Sequence, residues 1–224
     1  GIKAIQLLTA LNYEVIIPKH LESGRTWLSK GLVRKAKEIA NKNIELLGGL
    51  VSMSQPIIGL EPSAILTFRD EYPDLATDEN LIAAQKLAVN SFFINEFLAK
   101  EMEAGVIRKE QFTQSPKSIL LHGHCQQKAV GSLSDSVKVL SFPAQYTVET
   151  IPSGCCGMAG SFGYEKEHYD VSMNIGELVL FPKVRANQDT CTIAAPGTSC
   201  RHQIKDGTGA HALHTVEVLY EALV

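Results

Sequence analysis

The sequence has no long apolar run, no basic stripe and only five cysteines. No segment approaches the roughly 20 apolar residues that cross a bilayer as a helix. No signal peptide is visible. The formal net charge is −3, and no lysine- or arginine-rich stripe alternates with aromatics, so the footprint of a nucleic-acid binder is missing. The one basic stretch, Arg34–Asn43, reads as the solvated face of a helix. The C-x-x-C spacing of thiol-redox pairs is absent. So is a glycine-rich dinucleotide fingerprint, which argues against flavin or nicotinamide binding by this chain alone. Five cysteines without a signal peptide do not suggest a disulfide framework. In a reducing compartment, clustered cysteines are more often metal ligands or catalytic groups. The chain opens at Gly1 without a methionine and enters a helical pattern at once, so it reads as a piece of a longer polypeptide.

What is present is ordinary globular composition, with 45% hydrophobic and 20% charged residues over 224 positions. That suffices for one large domain or two small ones. Short β-branched runs predict strands at Tyr13–Pro18, Pro56–Pro62, Ser118–Cys125, Tyr146–Pro152 and Thr190–Pro196. Helical periodicity predicts helices over Gly31–Leu47, Asp78–Ala104, Lys166–Arg185 and His214–Val224. The alternation implies an α/β fold with mostly parallel strands. A faint repeat runs through it. "LNYEVIIP", a helix and "IIGLEPSA" resemble "QYTVETIP", a helix and "IAAPGTSC". Two similar α/β halves are expected, over residues 1–104 and 105–224.

Three of the predicted strands run into cysteines: Cys125, the adjacent Cys155 and Cys156, and Cys200. Carboxyl ends of parallel strands lie along one edge, where ligand crevices form. Four thiols from three strand ends therefore converge at one metal site in this reading, suited to an iron–sulfur cluster or zinc. Gly154, Gly157 and Gly160 around the pair permit a turn that aims both sulfurs inward. Cys191 lies early in its strand and reads as a buried structural thiol. His122, His124 and His202 flank the cysteines and are read as alternative ligands or hydrogen-bond donors to the sulfurs. His214 reads as a helix-start residue, and the acidic stretch Arg69–Asn80 as a solvated turn and helix start.

"HGHC", "GCCG" and "PGTSCRHQI", taken together, resemble the cysteine-rich CCG domain of heterodisulfide reductase B subunits and of glycolate oxidase iron–sulfur subunits. The same domain ends fused FAD-linked oxidases that act on D-2-hydroxy acids, and that group is similar also in Pro18–Leu32, Gly59–Pro73 and Ala212–Leu219. The resemblance implies an iron–sulfur electron-transfer domain of an oxidoreductase, cytoplasmic or peripheral to the inner face of the cell membrane. Its partners would be FAD-binding and ferredoxin-like domains of the same polypeptide. The family pattern has a single cysteine, a CC pair and a closing CxxC in each half. Here the second half keeps Cys125, Cys155, Cys156 and Cys200, while Gly197 stands in place of the first closing cysteine. The first half keeps none: Leu21–Gly24 takes the place of the CC turn and Ala64 that of a cysteine. A structural zinc module without redox role is the alternative reading.

Overall fold

The computed structural model describes residues 1–224. Helix α1 (Ile2–Ala10) opens the chain. It buries Ala4, Leu7 and Leu8 on one side, the i, i+3, i+4 spacing of an amphipathic helix. Then come α2 (Arg25–Ser29), α3 (Val33–Leu47), β1 (Ile57–Gly59), α4 (Pro62–Arg69), α5 (Tyr72–Leu75), α6 (Leu81–Val89) and β2 (Ser91–Phe93). Helix α7 (Ile94–Glu103) precedes β3 (Lys117–Leu121), α8 (Cys125–Val130), α9 (Ser134–Leu140) and β4 (Tyr146–Thr150). The chain closes with α10 (Tyr169–Leu178), α11 (Leu180–Asn187), β5 (Thr192–Ala194), α12 (Thr198–Thr208) and α13 (Thr215–Tyr220). The fold is α/β, and all strand pairs are parallel. No helix is long and apolar enough to cross a membrane.

Two compact units form. One comprises residues 16–94; the other comprises residues 1–15 together with 95–224. In the first unit β1 pairs with β2, and Ile57 lies opposite Ser91. Helix α4 follows β1 directly, with Pro62 at its first turn, where a missing N–H costs nothing. Arg25 forms an ion pair with Glu71, and both side chains are partly buried. Tyr72, fully buried, accepts from Asn43 at 2.9 Å and donates to the Ser23 carbonyl at 3.1 Å. The stretch expected to be a solvated turn and helix start does lead into α6 at Leu81, but it also contributes a buried aromatic and an ion-pair partner.

The second unit is built on a three-stranded sheet of order β4-β3-β5. Central β3 buries Ile119, Leu120 and Leu121, and edge strand β4 is largely exposed. Leu121, the last residue of β3, lies opposite Thr150 and Ala194, the last residues of its neighbours. All three strands thus stop level with one another. Helix α1 packs on α13 and α9 on β4. The chain after β4 and β5 closes the other side with α10, α11 and α12. Cys156, Met158, Phe181, Val184, Ile193, Cys200 and Ile204 belong to one buried cluster there.

Three predicted elements differ. Tyr13–Pro18 is irregular and is no strand. Asn12 ends α1 in the left-handed region, at φ 67°, and Ile16 and Ile17 are exposed. The run has strand composition without a partner strand. The helix expected over Asp78–Ala104 is interrupted by β2. Asn90 stops α6, and its carbonyl accepts from Ile57 at 2.9 Å, so pairing with β1 takes three residues out of the helical run. The helix over Lys166–Arg185 divides at Val179. Pro182 lacks an N–H for the Leu178 carbonyl and its ring would clash there, which breaks a continuous helix.

Candidate metal centre

The level strand ends decide where the cysteines go. The ladder runs one residue past β3 and β4: His122 N–H bonds the Ala194 carbonyl at 2.9 Å, and Ile151 N–H bonds the Leu121 carbonyl at 2.8 Å. Beyond β3 the chain turns through Gly123 into α8, whose first residue is Cys125. Beyond β4 it turns through Ser153 and Gly154 to Cys155 and Cys156. Beyond β5 it enters α12, where Cys200 is the third residue. All three segments open on the same edge of the sheet.

There the thiols are neighbours in the order Cys125, Cys155, Cys156, Cys200, each close enough to shift the next. Cys156 and Cys200 are buried, Cys155 is half-buried and Cys125 is exposed. The centre therefore has a dry side against the apolar cluster and a wet side at Cys125. Hydrogen bonds from Cys125 and Cys156 hold the Cys155 thiol far below the usual range, and the Gly157 and Ala159 N–H groups add to this against burial. Donation to Cys155 and burial push the Cys125 thiol up. Donation to Cys155 and Cys200, with burial, does the same for Cys156. The Cys156 thiol, with His122 and His124 nearby, holds Cys200 well down although it is buried.

Backbone N–H groups converge on the same sulfurs. Gly157 N–H points at Cys155 Sγ at 3.3 Å. Those of Gln126 and Met158 lower Cys125 and Cys156. The turn that aims them needs Gly157, whose φ is 103°. A Cβ there would also stand 2.2 Å from the Ser172 carbonyl oxygen. Ala159 and Gly160 continue the turn with φ of 41° and 71°. Successive N–H groups in such a turn make a concavity for negative charge. Lys128, three residues after Cys125, pins the approach by donating to the Ser153 and Gly154 carbonyls at 2.7 and 2.8 Å.

The histidines divide. His122 is fully buried, with Nδ1 2.8 Å from Ser153 Oγ. One of its ring nitrogens and the sulfurs of Cys156 and Cys200 all lie within 4.8 Å of one another. His124 caps α8: its Nδ1 accepts the Gln126 N–H at 3.1 Å. Its ring fills the space beside Gly197, where a Cβ would stand 2.3 Å from His124 Cδ2 and 3.1 Å from Cys200 Sγ. The ring thus occupies the room that a side chain at 197 would need. His202 lies outside the group, exposed and bonded to Tyr164 at 2.7 Å. His214 caps α13 by accepting from Val216 N–H. Cys191 is half-buried against the apolar cluster, more open than a core thiol.

Several thiolates, a buried imidazole and convergent N–H groups form a soft, electron-rich donor set, which suits zinc or iron and not calcium or magnesium. No family model matches the chain. Its relatives are dehydrogenases. The chain is 28% identical over 223 residues to D-2-hydroxyglutarate dehydrogenase of Escherichia coli (strain K12), covering 98% of the chain. Over 229 residues it is 24% identical to the Haemophilus influenzae protein of that name. Over 225 residues it is also 24% identical to one subunit of the anaerobic glycerol-3-phosphate dehydrogenase of Escherichia coli (strain K12). The chain spans 20% of the length of the first relative and 55% of the length of the last.

Reasoning from sequence missed Ser153 and Lys128. Ser153 adjoins the GCC run, and a polar residue in that place is a usable signal. Lys128 is marked only by its i, i+3 spacing from Cys125.

Proposed function

We propose that the chain is an iron–sulfur electron-transfer domain of an FAD-linked 2-hydroxy-acid dehydrogenase, with Cys125, Cys155, Cys156 and Cys200 as thiolate ligands. The observation that carries this reading is the chain of four thiols from three level strand ends, with backbone N–H groups aimed at their sulfurs. The dehydrogenase relatives support it. When bound, the cluster supplies a one-electron carrier. The residues of this chain hold it and set its surroundings. Gly157 and Ala159 N–H groups stabilise negative charge at Cys155. The apolar cluster around Cys156 and Cys200 keeps water from the inner side. Fixed N–H donors and exclusion of water are the levers by which a protein tunes a cluster's potential.

In this proposal the flavin oxidises the hydroxy acid elsewhere in a longer polypeptide, and ferredoxin-like domains pass electrons toward this centre. The location is the cytoplasm, at the inner face of the membrane where the acceptor is a quinone. Residues 105–224 are the half that holds the metal. Residues 1–104 are a half that has lost its site, and the Arg25–Glu71 ion pair follows the turn that takes the place of its CC pair. A structural zinc ion is the second reading. It is favoured by His122, Cys156 and Cys200 lying within 4.8 Å, a span that fits one ion.

Anaerobic reconstitution with ferrous iron and sulfide separates the two. The first reading expects iron and sulfide in the protein, visible absorbance that bleaches on reduction, and loss of both in Cys156→Ala. Redox-silent zinc without sulfide selects the second. Reconstituted protein that never gains iron-linked absorbance rules out the electron-transfer reading.

A further inference from the structure

Four thiols do not exhaust the donors at the strand ends. His122 directly follows β3 and is 0% exposed. Its Nε2 is buried without a hydrogen-bond partner. The ring is near enough to Cys200 to lower that thiol, yet no bond of normal geometry ends at Nε2. An orphaned buried polar atom is costly to keep. A fold that keeps such an atom on a ring with one nitrogen within 4.8 Å of two buried sulfurs has built a place for something that satisfies ring and sulfurs together.

We infer that His122 is a metal ligand through Nε2, so that the inner corner of the centre is a mixed nitrogen–sulfur set of His122, Cys156 and Cys200. This rests on the metal reading above and adds an imidazole to its four thiolates. For Nε2 to offer a lone pair, Nδ1 must carry the proton and donate to Ser153 Oγ, 2.8 Å away. A partner on the far nitrogen is the usual device that fixes the tautomer of a ligating histidine. His124, two residues on, is set the opposite way. Its Nδ1 accepts from Gln126 N–H, so its neutral ring carries the proton on Nε2 and has no lone pair to give while it caps α8. The H-x-H-C spacing therefore separates a ligand from a capping acceptor. Imidazole with thiolate suits a borderline divalent ion such as zinc or ferrous iron.

Zinc is the probe for the test. The protein is stripped with a chelator under anaerobic conditions, reloaded with zinc and studied by X-ray absorption at the zinc edge. Zinc–nitrogen and zinc–sulfur bonds differ, about 2.0–2.1 Å against about 2.3 Å, so the two shells separate. Wild type is expected to show one imidazole shell beside the sulfur shell. His122→Cys should keep zinc and replace the imidazole shell by sulfur. Ser153→Ala should keep the imidazole shell while zinc affinity falls about 10–100-fold. A sulfur-only shell in wild type, or imidazole scattering that persists in His122→Cys, overturns the assignment and leaves the four-thiolate reading standing. A chain that takes up neither zinc nor iron overturns the metal reading and this inference together.

Discussion

Gly197→Ala is a sharp test of how the centre is packed. Gly197 has φ −76° and ψ 135°, angles open to any residue. Backbone entropy alone would make the change stabilising by about 0.4–1 kcal/mol. The space decides otherwise. The new Cβ would stand 2.3 Å from His124 Cδ2, and the ring is buried. It cannot swing away freely, because its Nδ1 caps α8. Overpacking of this kind costs about 1–3 kcal/mol, and a lost cap about 1 kcal/mol. The net expectation is a loss of about 2 kcal/mol, or roughly 4–8 °C in Tm at ~2–4 °C per kcal/mol for a domain of this size. His124→Ser keeps a capping oxygen and empties the space. The double variant should therefore recover about 1–2 kcal/mol relative to the sum of the single changes. The lone tryptophan, Trp27, lies in the other unit, so its fluorescence is blind to this region. Hydrogen exchange of the β5 and α12 amides is the suitable assay. Additive costs, or a stabilised Gly197→Ala, would refute the clash.

Gly157→Ala should cost more, because it combines a φ of 103° with a backbone oxygen 2.2 Å from the new Cβ. We expect a fall of at least about 3 kcal/mol, judged from strain and overpacking together, and loss of metal uptake; a stable, metal-loaded variant would contradict the turn described. In metal-free native protein, iodoacetamide should label Cys155, half-buried and held as thiolate, ahead of Cys125, whose exposed thiol is pushed up, and spare the buried Cys156 and Cys200; peptide mapping that finds Cys200 labelled before unfolding would contradict the burial. Burial raises the Glu71 carboxyl above its ordinary value despite the Arg25 charge. The folded state thus holds this proton more tightly than the unfolded chain, and the cost of the buried charge is relieved as pH falls. Trp27 fluorescence during urea unfolding should show wild type gaining stability relative to Glu71→Gln between about pH 7 and about pH 4, the range over which a raised carboxyl titrates; an unchanged difference would disprove it.

Much of the centre was legible because β-branched runs ending at cysteines are both a strand signal and a ligand signal. Parallel pairing then fixes which ends are level, and the three segments could only open on one edge. Composition failed where pairing decides. "YEVIIP" and "YTVET" look alike, yet only the second finds a partner, beside β3. "SFF" is too short to stand out of a helical run, and becomes β2 only because Ile57–Gly59 lies alongside. Glu71 is one carboxylate in an acidic stretch, and nothing local distinguishes it from its neighbours. The two histidines of "HGHC" carry the same side chain. Their different tasks come from Ser153 and the Gln126 N–H, which only the folded chain brings to their nitrogens.

The pairing of α1 with α13 bears on how the chain is made. Residues 16–94 lie between two parts of the other unit, so they complete their contacts early in synthesis. Central β3 cannot acquire β5 until residue 194 has emerged, and α1 cannot dock until α13, Thr215–Tyr220, is free. At ~5–20 residues per second, the apolar face of α1 waits about 10–40 s for its partner. During that interval the nascent chain shows Leu7 and Leu8 to the solvent and to any chaperone at the tunnel exit. The cysteine-bearing segments cannot meet until Cys200 has emerged, so the proposed metal centre assembles after the first unit has folded.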